Sequence, residues 1–256
     1  MKMKIDNVLL NYEFINKNKE VNTIILPGWM NNHITYESLY DAIGLYSNIY
    51  VIDFPGFGLS SDPEHSVNLD YYVEMLNNFI ETLDIKNIIL FGHSFGGRVA
   101  IKYQSKYKTS LYLILTSAAG IKRFNFKKFI KILFYKIKKK IYKILNKSKY
   151  IKLIQTSGSK DYISLNDIMK GTFKNVINED LKKECRKIKC PTLLIWGVYD
   201  RETRIQDGML MNKLIKSSSL VKISYAGHFP FLENKAQYLT VLNHFYQYIM
   251  GELLLT

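Results

Sequence analysis

The sequence predicts an α/β fold in which helices cover both faces of a mostly parallel sheet, giving three layers. Short apolar segments and longer amphipathic segments alternate along most of the 256 residues, which is typical of linked strand–helix–strand units. The apolar segments are mostly continuous runs, as expected of parallel strands buried on both faces. The length fits one large domain that carries an insertion.

The individual elements follow from local patterns. A loose alternation predicts an edge strand at residues 8–14, and apolar runs predict the other strands. The amphipathic segment at residues 69–83 repeats its apolar side chains every three or four positions, so it is a helix. Further strands are predicted at residues 23–26, 48–54, 88–91, 111–116, 192–196 and 220–224, and further helices near 36–46, from 99 onward, at 207–215 and at 235–250.

The segment Gly92-His93-Ser94-Phe95-Gly96 follows the strand at residues 88–91 and opens a helix. A strand that turns this sharply into a helix holds its apical residue in a strained, exposed conformation, and glycines on both sides remove the Cβ atoms that would collide. The helix N-terminus favours negative charge at the same point. Ser94 is therefore a candidate nucleophile, although glycine-rich turns of this kind also bind phosphates.

Candidate partners for Ser94 follow two other strands. Asp200 lies just beyond the strand at residues 192–196, and His228 lies just beyond the strand at 220–224. The carboxyl ends of parallel strands share one edge of the sheet, where ligands bind. An imidazole can take the proton of a serine hydroxyl, and a carboxylate can orient that imidazole. The three residues together predict a nucleophile, a base and an acid.

The chain resembles the α/β-hydrolases of the serine-nucleophile type with a helical cap. The resemblance rests on four motifs spread over nearly the full length. They are Gly92-His93-Ser94-Phe95-Gly96-Gly97, Trp196-Gly197-Val198-Tyr199-Asp200, Ala226-Gly227-His228-Phe229-Pro230 and Asp53-Phe54-Pro55-Gly56-Phe57-Gly58-Leu59-Ser60.

That resemblance implies catalytic roles for Ser94, His228 and Asp200. It also implies an oxyanion hole formed by the backbone N–H groups of Trp29 and Phe95. Many relatives carry His-Gly after the second strand where this chain carries Pro27-Gly28. Because the donors are backbone groups, this difference need not remove the hole. Asp53 is interpreted as structural.

The expected activity is hydrolysis of a carboxylic ester with a small to medium apolar or aryl acyl group, through an acyl-enzyme on Ser94. The expected partner is a small-molecule substrate, and no metal or cofactor is expected. C–C bond hydrolases, thioesterases and perhydrolases use the same triad and remain alternatives. An alternative of another class is a non-catalytic, membrane-associated binding protein.

The net charge of +14 is concentrated in one segment. Of 36 Lys and Arg residues, 14 lie within residues 121–160, which contain no Asp or Glu, so the remainder carries 22 charges of each sign. This change of composition predicts a hydrolase core at residues 1–120 and 179–256 and a helical cap at 121–178. Within the cap we expect a helix of about twenty residues, a break at Ser157-Gly158-Ser159 and a second helix near residues 166–178.

The first cap helix has an apolar stripe, and lysines occupy most of its remaining surface. The stripe comprises Phe126, Phe129, Ile130, Leu133, Phe134, Ile137, Ile141, Ile144 and Leu145. One interpretation is a lid whose stripe covers an apolar substrate pocket. A second is weak contact with anionic membranes. A third, contact with nucleic acid, is disfavoured because no recognised fold, aromatic platform or basic groove accompanies the charge.

The N-terminus turns polar at once and lacks the apolar middle of a signal peptide. The only cysteines, Cys185 and Cys190, have no flanking ligands that would make a metal motif, and we expect them to be reduced thiols. These features predict a cytoplasmic protein.

Overall fold

An eight-stranded sheet forms the centre of the computed structural model, which describes residues 1–122, 126–146, 148–151 and 160–253. The strands lie in the order β1-β2-β4-β3-β5-β6-β7-β8. β2 is antiparallel to β1 and β4, and the other neighbours are parallel. The strands are β1 Lys2–Ile5, β2 Val8–Ile15, β3 Asn22–Leu26, β4 Asn48–Asp53, β5 Ile88–His93, β6 Tyr112–Thr116, β7 Thr192–Gly197 and β8 Ser218–Ile223.

Helices cover both faces of this sheet. A 3₁₀ helix at His33–Leu39 leads into α1. The α-helices are α1 Tyr40–Gly44, α2 Leu69–Thr82, α3 Phe95–Tyr107, α4 Phe126–Leu145, α5 Lys160–Ser164, α6 Asp167–Ile177, α7 Lys182–Lys187, α8 Ile205–Leu214, α9 Pro230–Glu233 and α10 Lys235–Leu253. Residues 148–151 are also helical.

Successive side chains of a strand enter different cores. In β3, Ile24 packs in the core that contains α2, α3 and α8, whereas Ile25 packs in the core that contains α1 and α10. This follows from the two-residue period of a strand. Both side chains are fully buried. The three-layer α/β fold predicted from the sequence is therefore confirmed.

Three local features differ from the prediction. β1 was not predicted, because its Lys-Met-Lys sequence is polar and it pairs only at the sheet edge. Residues 36–46 form a 3₁₀ helix and a short α1 instead of one helix. The short helices α5, α7 and α9 were also absent from the prediction.

The inserted segment leaves the sheet after β6 and returns before β7. The two helices predicted in it are α4 and α6, and the side chain of Asn166 caps α6 by accepting from the N–H of Met169. At the base of the segment, the N–H of Leu181 donates to the carbonyl of Gly120 at 2.8 Å. None of the described helices is both long and apolar enough to cross a membrane.

Part of the predicted stripe and the predicted break lie outside what the structure describes. The break at residues 157–159 is among the residues left out. The backbone of α4 is described throughout. The stripe side chains outside the described set are Phe126, Phe129, Ile130, Leu133 and Ile144.

Candidate active site

Ser94 lies at the sharp turn between β5 and α3. Its φ of 51° and ψ of −111° place a non-glycine residue in a sparsely populated region. The flanking glycines are needed because a Cβ on Gly92 would lie 2.6 Å from the Cα of Gly97, and one on Gly96 would lie 1.8 Å from the carbonyl oxygen of Leu26. The turn packs too closely on neighbouring backbone for any larger residue at either position.

The structure brings Ser94, His228 and Asp200 together in one row. The Oγ of Ser94 lies 2.9 Å from Nε2 of His228, and Nδ1 of His228 lies 2.9 Å from Oδ2 of Asp200. Because the carboxylate accepts from Nδ1–H, Nε2 is left to accept the serine proton. The residues follow β5, β7 and β8, whose carboxyl ends meet at the same edge of the sheet.

Asp200 is held as a carboxylate. Its Oδ1 accepts hydrogen bonds from the N–H groups of Glu202 and Thr203, at 2.9 and 3.0 Å. Burial acts to raise the pKa of Asp200, but the hydrogen bond and charge of His228 and the hydroxyl of Thr203 outweigh burial, so the pKa lies below its ordinary value. The carboxylate is therefore ionised at neutral pH.

The loop that carries His228 is fixed on both sides by Glu233. One carboxylate oxygen accepts from the N–H of Gly227 at 2.8 Å, and the other accepts from the N–H of Phe229 at 2.9 Å. Glu233 is the last residue of α9, so this short helix fixes the position of the His228 imidazole.

A buried row of hydrogen bonds links the loops around the site. The N–H of Gly28 donates to the hydroxyl of Tyr36, which lies 2.9 Å from Nδ1 of His93. The Nε2–H of His93 in turn donates to the backbone carbonyl of His228 at 2.9 Å. Burial and the nearby His228 ring lower the pKa of His93 to about 3, so His93 is neutral and can act as acceptor and donor at once.

Trp29 and Phe95, whose N–H groups are expected to form the oxyanion hole, both line the cavity beside Ser94. Phe95 is the first residue of α3, so its N–H has no partner within the helix. Within the described residues, the N–H of Trp29 also donates to no group. Trp29 lies in a turn closed by the hydrogen bond from Asn31 N–H to the Gly28 carbonyl. The two side chains touch, with ring centroids 5.2 Å apart.

A cavity of about 700 Å³ opens over Ser94. Three of its apolar side chains come from α6, in the inserted segment, and none of the described residues of α4 lines it. The apolar lining is Trp29, Met30, Phe95, Ala119, Phe173, Val176, Ile177 and Phe229, and the polar lining is Asn31, Ser94, Arg98, Glu202, Thr203 and His228. A mainly apolar group therefore fits against the nucleophile.

Other acidic groups have different roles. The buried carboxylate of Asp53 accepts from the N–H groups of His33 and Leu59 and from the amide of Asn11, so it organises loops, as its structural interpretation expects. The described residues contain no group of three or more His, Cys, Asp or Glu side chains suited to a metal ion.

The chain is similar to proteins of one family. A model of the alpha/beta hydrolase fold matches residues 24–124. Together with the eight-stranded sheet, this match shows that the chain has the alpha/beta hydrolase fold. The AB hydrolase superfamily protein YisY of Bacillus subtilis is 28% identical over 242 residues, which cover 87% of this hydrolase and 90% of YisY.

Two further likenesses extend along the chain. A proline iminopeptidase of Saccharolobus solfataricus is 28% identical over 255 residues, which cover 86% of this hydrolase and 81% of the relative. A crystallised esterase from Exiguobacterium antarcticum, 20% identical, superposes with a TM-score of 0.73 over 95% of this hydrolase and 97% of the esterase. The relatives support a hydrolase of the alpha/beta fold.

Sequence reasoning did not find His93, Tyr36 or Glu233. In the sequence, His93 is merely the residue between a required glycine and the candidate nucleophile. Tyr36 lies within a predicted helix, and Glu233 in a segment with no predicted element. Their partners lie on other loops, so no local pattern indicates them.

Proposed function

We propose that this hydrolase cleaves carboxylic esters through an acyl-enzyme on Ser94. The observation that carries the proposal is the row of two 2.9 Å hydrogen bonds from Ser94 through His228 to Asp200, at the floor of an apolar cavity. The same arrangement of nucleophile, base and acid performs acyl transfer on unrelated folds. The likeness to an esterase agrees with it in fold.

In the first half-reaction, His228 takes the proton of Ser94 as the hydroxyl oxygen attacks the ester carbonyl. The N–H groups of Trp29 and Phe95 stabilise the oxyanion that forms on the carbonyl oxygen. The imidazolium, oriented by Asp200, then protonates the departing alcohol, and the C–O bond breaks to leave the acyl-enzyme.

In the second half-reaction, water replaces the alcohol. His228 takes a proton from the water, the hydroxide attacks the acyl carbonyl, and the proton returns to the Oγ of Ser94 as the carboxylic acid leaves. The apolar lining favours a small to medium apolar or aryl acyl group, and we propose that the helices of residues 121–178 form a cap that contributes this lining through α6.

Labelling with a fluorophosphonate separates an enzyme from a binding protein. We expect the parent and Ser224→Ala, which changes an exposed serine, to be labelled equally, and Ser94→Ala to be unlabelled but folded. Labelling of folded Ser94→Ala, or no labelling of the parent, overturns the nucleophile assignment. p-Nitrophenyl esters of increasing chain length then define the acyl group. Three further substrates test the alternatives. Faster turnover of an acyl-CoA than of any ester indicates a thioesterase, faster cleavage of a diketone indicates a C–C hydrolase, and faster formation of a peracid indicates a perhydrolase.

A second candidate is release of an N-terminal amino acid from a peptide. The exposed carboxylate of Glu202 lines the cavity, and its Oε2 lies 3.4 Å from Nε2 of His228. A carboxylate there can pair with a substrate ammonium group, and one relative is named a proline iminopeptidase. Prolyl-p-nitroanilide tests this candidate. Turnover faster than that of every ester, and lost in Glu202→Gln, favours it over the esterase.

A further inference from the structure

The basic residues of this chain are segregated. Residues 121–160 hold 14 Lys and Arg and no Asp or Glu, while the remainder of the sequence has 22 charges of each sign. A uniformly basic surface would reflect overall composition. A neutral core with one strongly positive segment indicates that this segment meets a negatively charged partner.

The helix α4 runs through this segment for 20 residues, about 30 Å at the rise of an α-helix. Its described apolar side chains Phe134, Ile137, Ile141 and Leu145 follow at spacings of three and four, so they lie on one face. They are 67%, 47%, 46% and 76% exposed. Single exposed apolar residues are common on proteins, but four aligned on one helix form a surface that a partner can cover.

This apolar face does not serve the substrate cavity within the described residues. Among the described residues of the inserted segment, Phe173, Val176 and Ile177 of α6 line the cavity, and no residue of α4 does. The lid interpretation, in which the α4 stripe covers the substrate, therefore has no support from these side chains. The four described side chains are therefore available for another contact.

Lysines flank this face and cover the opposite side of the helix. At about 3.6 residues per turn, Lys138 and Lys140 lie on either side of the face, and Lys139 and Lys143 lie opposite it. Lys138, Lys140 and Lys143 are exposed, and Lys139 is half-exposed. A helix with bulky apolar residues on one face and lysines around it can lie in the plane of a bilayer surface, with the apolar face among the acyl chains and the lysines near the headgroups. Anionic lipids add an attraction for each lysine that approaches the surface.

We propose that α4 docks this protein on the surface of an anionic lipid bilayer, through the apolar face of Phe134, Ile137, Ile141 and Leu145 and the lysines on the rest of the helix. The charge argues against a second copy of this chain, because pairing two such helices would place like charges together with no acid in residues 121–160 to offset them. The apolar face argues against nucleic acid, whose phosphates attract lysines but leave four large apolar side chains in water. Docking through α4 is independent of the proposed esterase activity.

The test is cosedimentation of the full chain with vesicles. Vesicles of phosphatidylcholine alone are compared with vesicles that contain 30 mol% phosphatidylglycerol, in 50, 150 and 500 mM NaCl. We expect binding to the anionic vesicles at low salt, at least a tenfold loss at high salt, and no binding to the neutral vesicles. Equal binding to both vesicle types, or no binding to either at low salt, overturns the proposal.

Matched variants separate the face from general charge. Replacing Lys138, Lys139, Lys140 and Lys143 by Gln should abolish sedimentation. The control replaces four exposed lysines outside the inserted segment by Gln, which changes the charge by the same amount and should leave most binding intact. They are Lys187, Lys189, Lys213 and Lys216. Equal losses in the two variants overturn a specific role for α4. Hydrolysis of a soluble p-nitrophenyl ester should be unchanged in both.

The apolar face has its own readouts. Ile137→Ser with Ile141→Ser keeps every charge and should weaken vesicle binding at least tenfold. A Phe134→Trp reporter should shift its emission to the blue on anionic vesicles. Retained binding in the double variant, or no emission shift, shows adsorption by charge alone and overturns docking through the face. Tighter binding to a 20-base-pair DNA duplex than to the vesicles, unaffected by the double variant, identifies nucleic acid as the partner instead.

Discussion

The imidazole of His93 donates a hydrogen bond from Nε2 to the backbone carbonyl of His228, 2.9 Å away. The two residues are 135 positions apart in the sequence, and one precedes the candidate nucleophile while the other is the candidate base. On its other side, His93 meets Tyr36, which also accepts from the N–H of Gly28. One neutral, buried imidazole thus holds the nucleophile turn, the base loop and the loop of the proposed oxyanion hole in register.

Tyr36→Phe should disturb this register without removing any proposed catalytic group. The substitution leaves Nδ1 of His93 and the N–H of Gly28 without their buried partner, which destabilises a protein by about 1–3 kcal/mol. We expect kcat for a p-nitrophenyl ester to fall by roughly tenfold with little change in KM, since loops that form the transition-state contacts lose their support. Urea denaturation and steady-state kinetics measure the two effects.

Tyr46→Phe is the control for this change. It removes a hydroxyl that has no hydrogen-bond partner within the described residues, and its ring stacks on Tyr246. It should leave kcat unchanged. A similar kcat for both variants and the parent would mean that the Tyr36 bridge does not set the position of the site.

The pKa of His93 predicts how stability depends on pH. It falls from 6.5 to about 3 on folding, so between these values the unfolded state binds a proton that the folded state does not. Stability contributed by this group therefore rises with pH across the window, by about 1.4 kcal/mol per pH unit, and is fully present above pH ~6.5. His93→Asn should be less stable, and its free energy of unfolding should depend less steeply on pH.

Urea denaturation at several pH values from 3.5 to 7 gives the pH dependence of the free energy of unfolding for the parent and for His93→Asn. The slope is the informative quantity, because any loss of packing lowers stability at every pH alike. Parallel curves for parent and variant would show that folding leaves the pKa of His93 unchanged, contrary to its buried position between Tyr36 and His228.

Asp200→Asn should lower kcat by about 10⁴, the loss known for this change in other Ser–His–Asp triads. The amide cannot stabilise the imidazolium, and its NH₂ group disfavours the tautomer in which Nδ1 carries the proton. Glu202→Gln is the matched control, because Glu202 lies near Nε2 of the same ring rather than Nδ1. For an ester substrate we expect Glu202→Gln to change kcat far less than Asp200→Asn. The reverse ranking would assign the acid to Glu202.

Gly96→Ala should destabilise the protein by about 3 kcal/mol or more and remove activity. The new methyl group would meet the carbonyl of Leu26 at 1.8 Å, and that backbone continues into the Gly28–Asn31 turn. Gly251→Ala is the control: its methyl group would have no atom within 4 Å, and in α10 it should add about 0.5–1 kcal/mol. Calorimetry measures the melting temperature of both variants. An unchanged melting temperature for Gly96→Ala would contradict the prediction.

The sequence predicts most of the strand framework because buried strands require apolar runs, as in β5 and β7. It also predicts which residues meet at the sheet edge, since parallel strands bring Ser94, Asp200 and His228 to one side. It misses interactions that depend on loop conformation. Glu233 is a clear example, because only the folded α9 places its carboxylate on both sides of His228. Likewise, the sequence predicts the apolar stripe of α4, but how exposed these side chains are depends on how α4 packs in the folded protein.

The hydrogen bond from the N–H of Leu181 to the carbonyl of Gly120 joins the two points where the inserted segment leaves and re-enters the core. The inserted segment is therefore a loop whose two ends are held together at the core. The entropy of closing such a loop rises only slowly with its length, so residues inside it can be added, lost or exchanged at little expense to the sheet. The apolar lining contributed by α6 and the charge of α4 can therefore change while the turn at Ser94 stays the same.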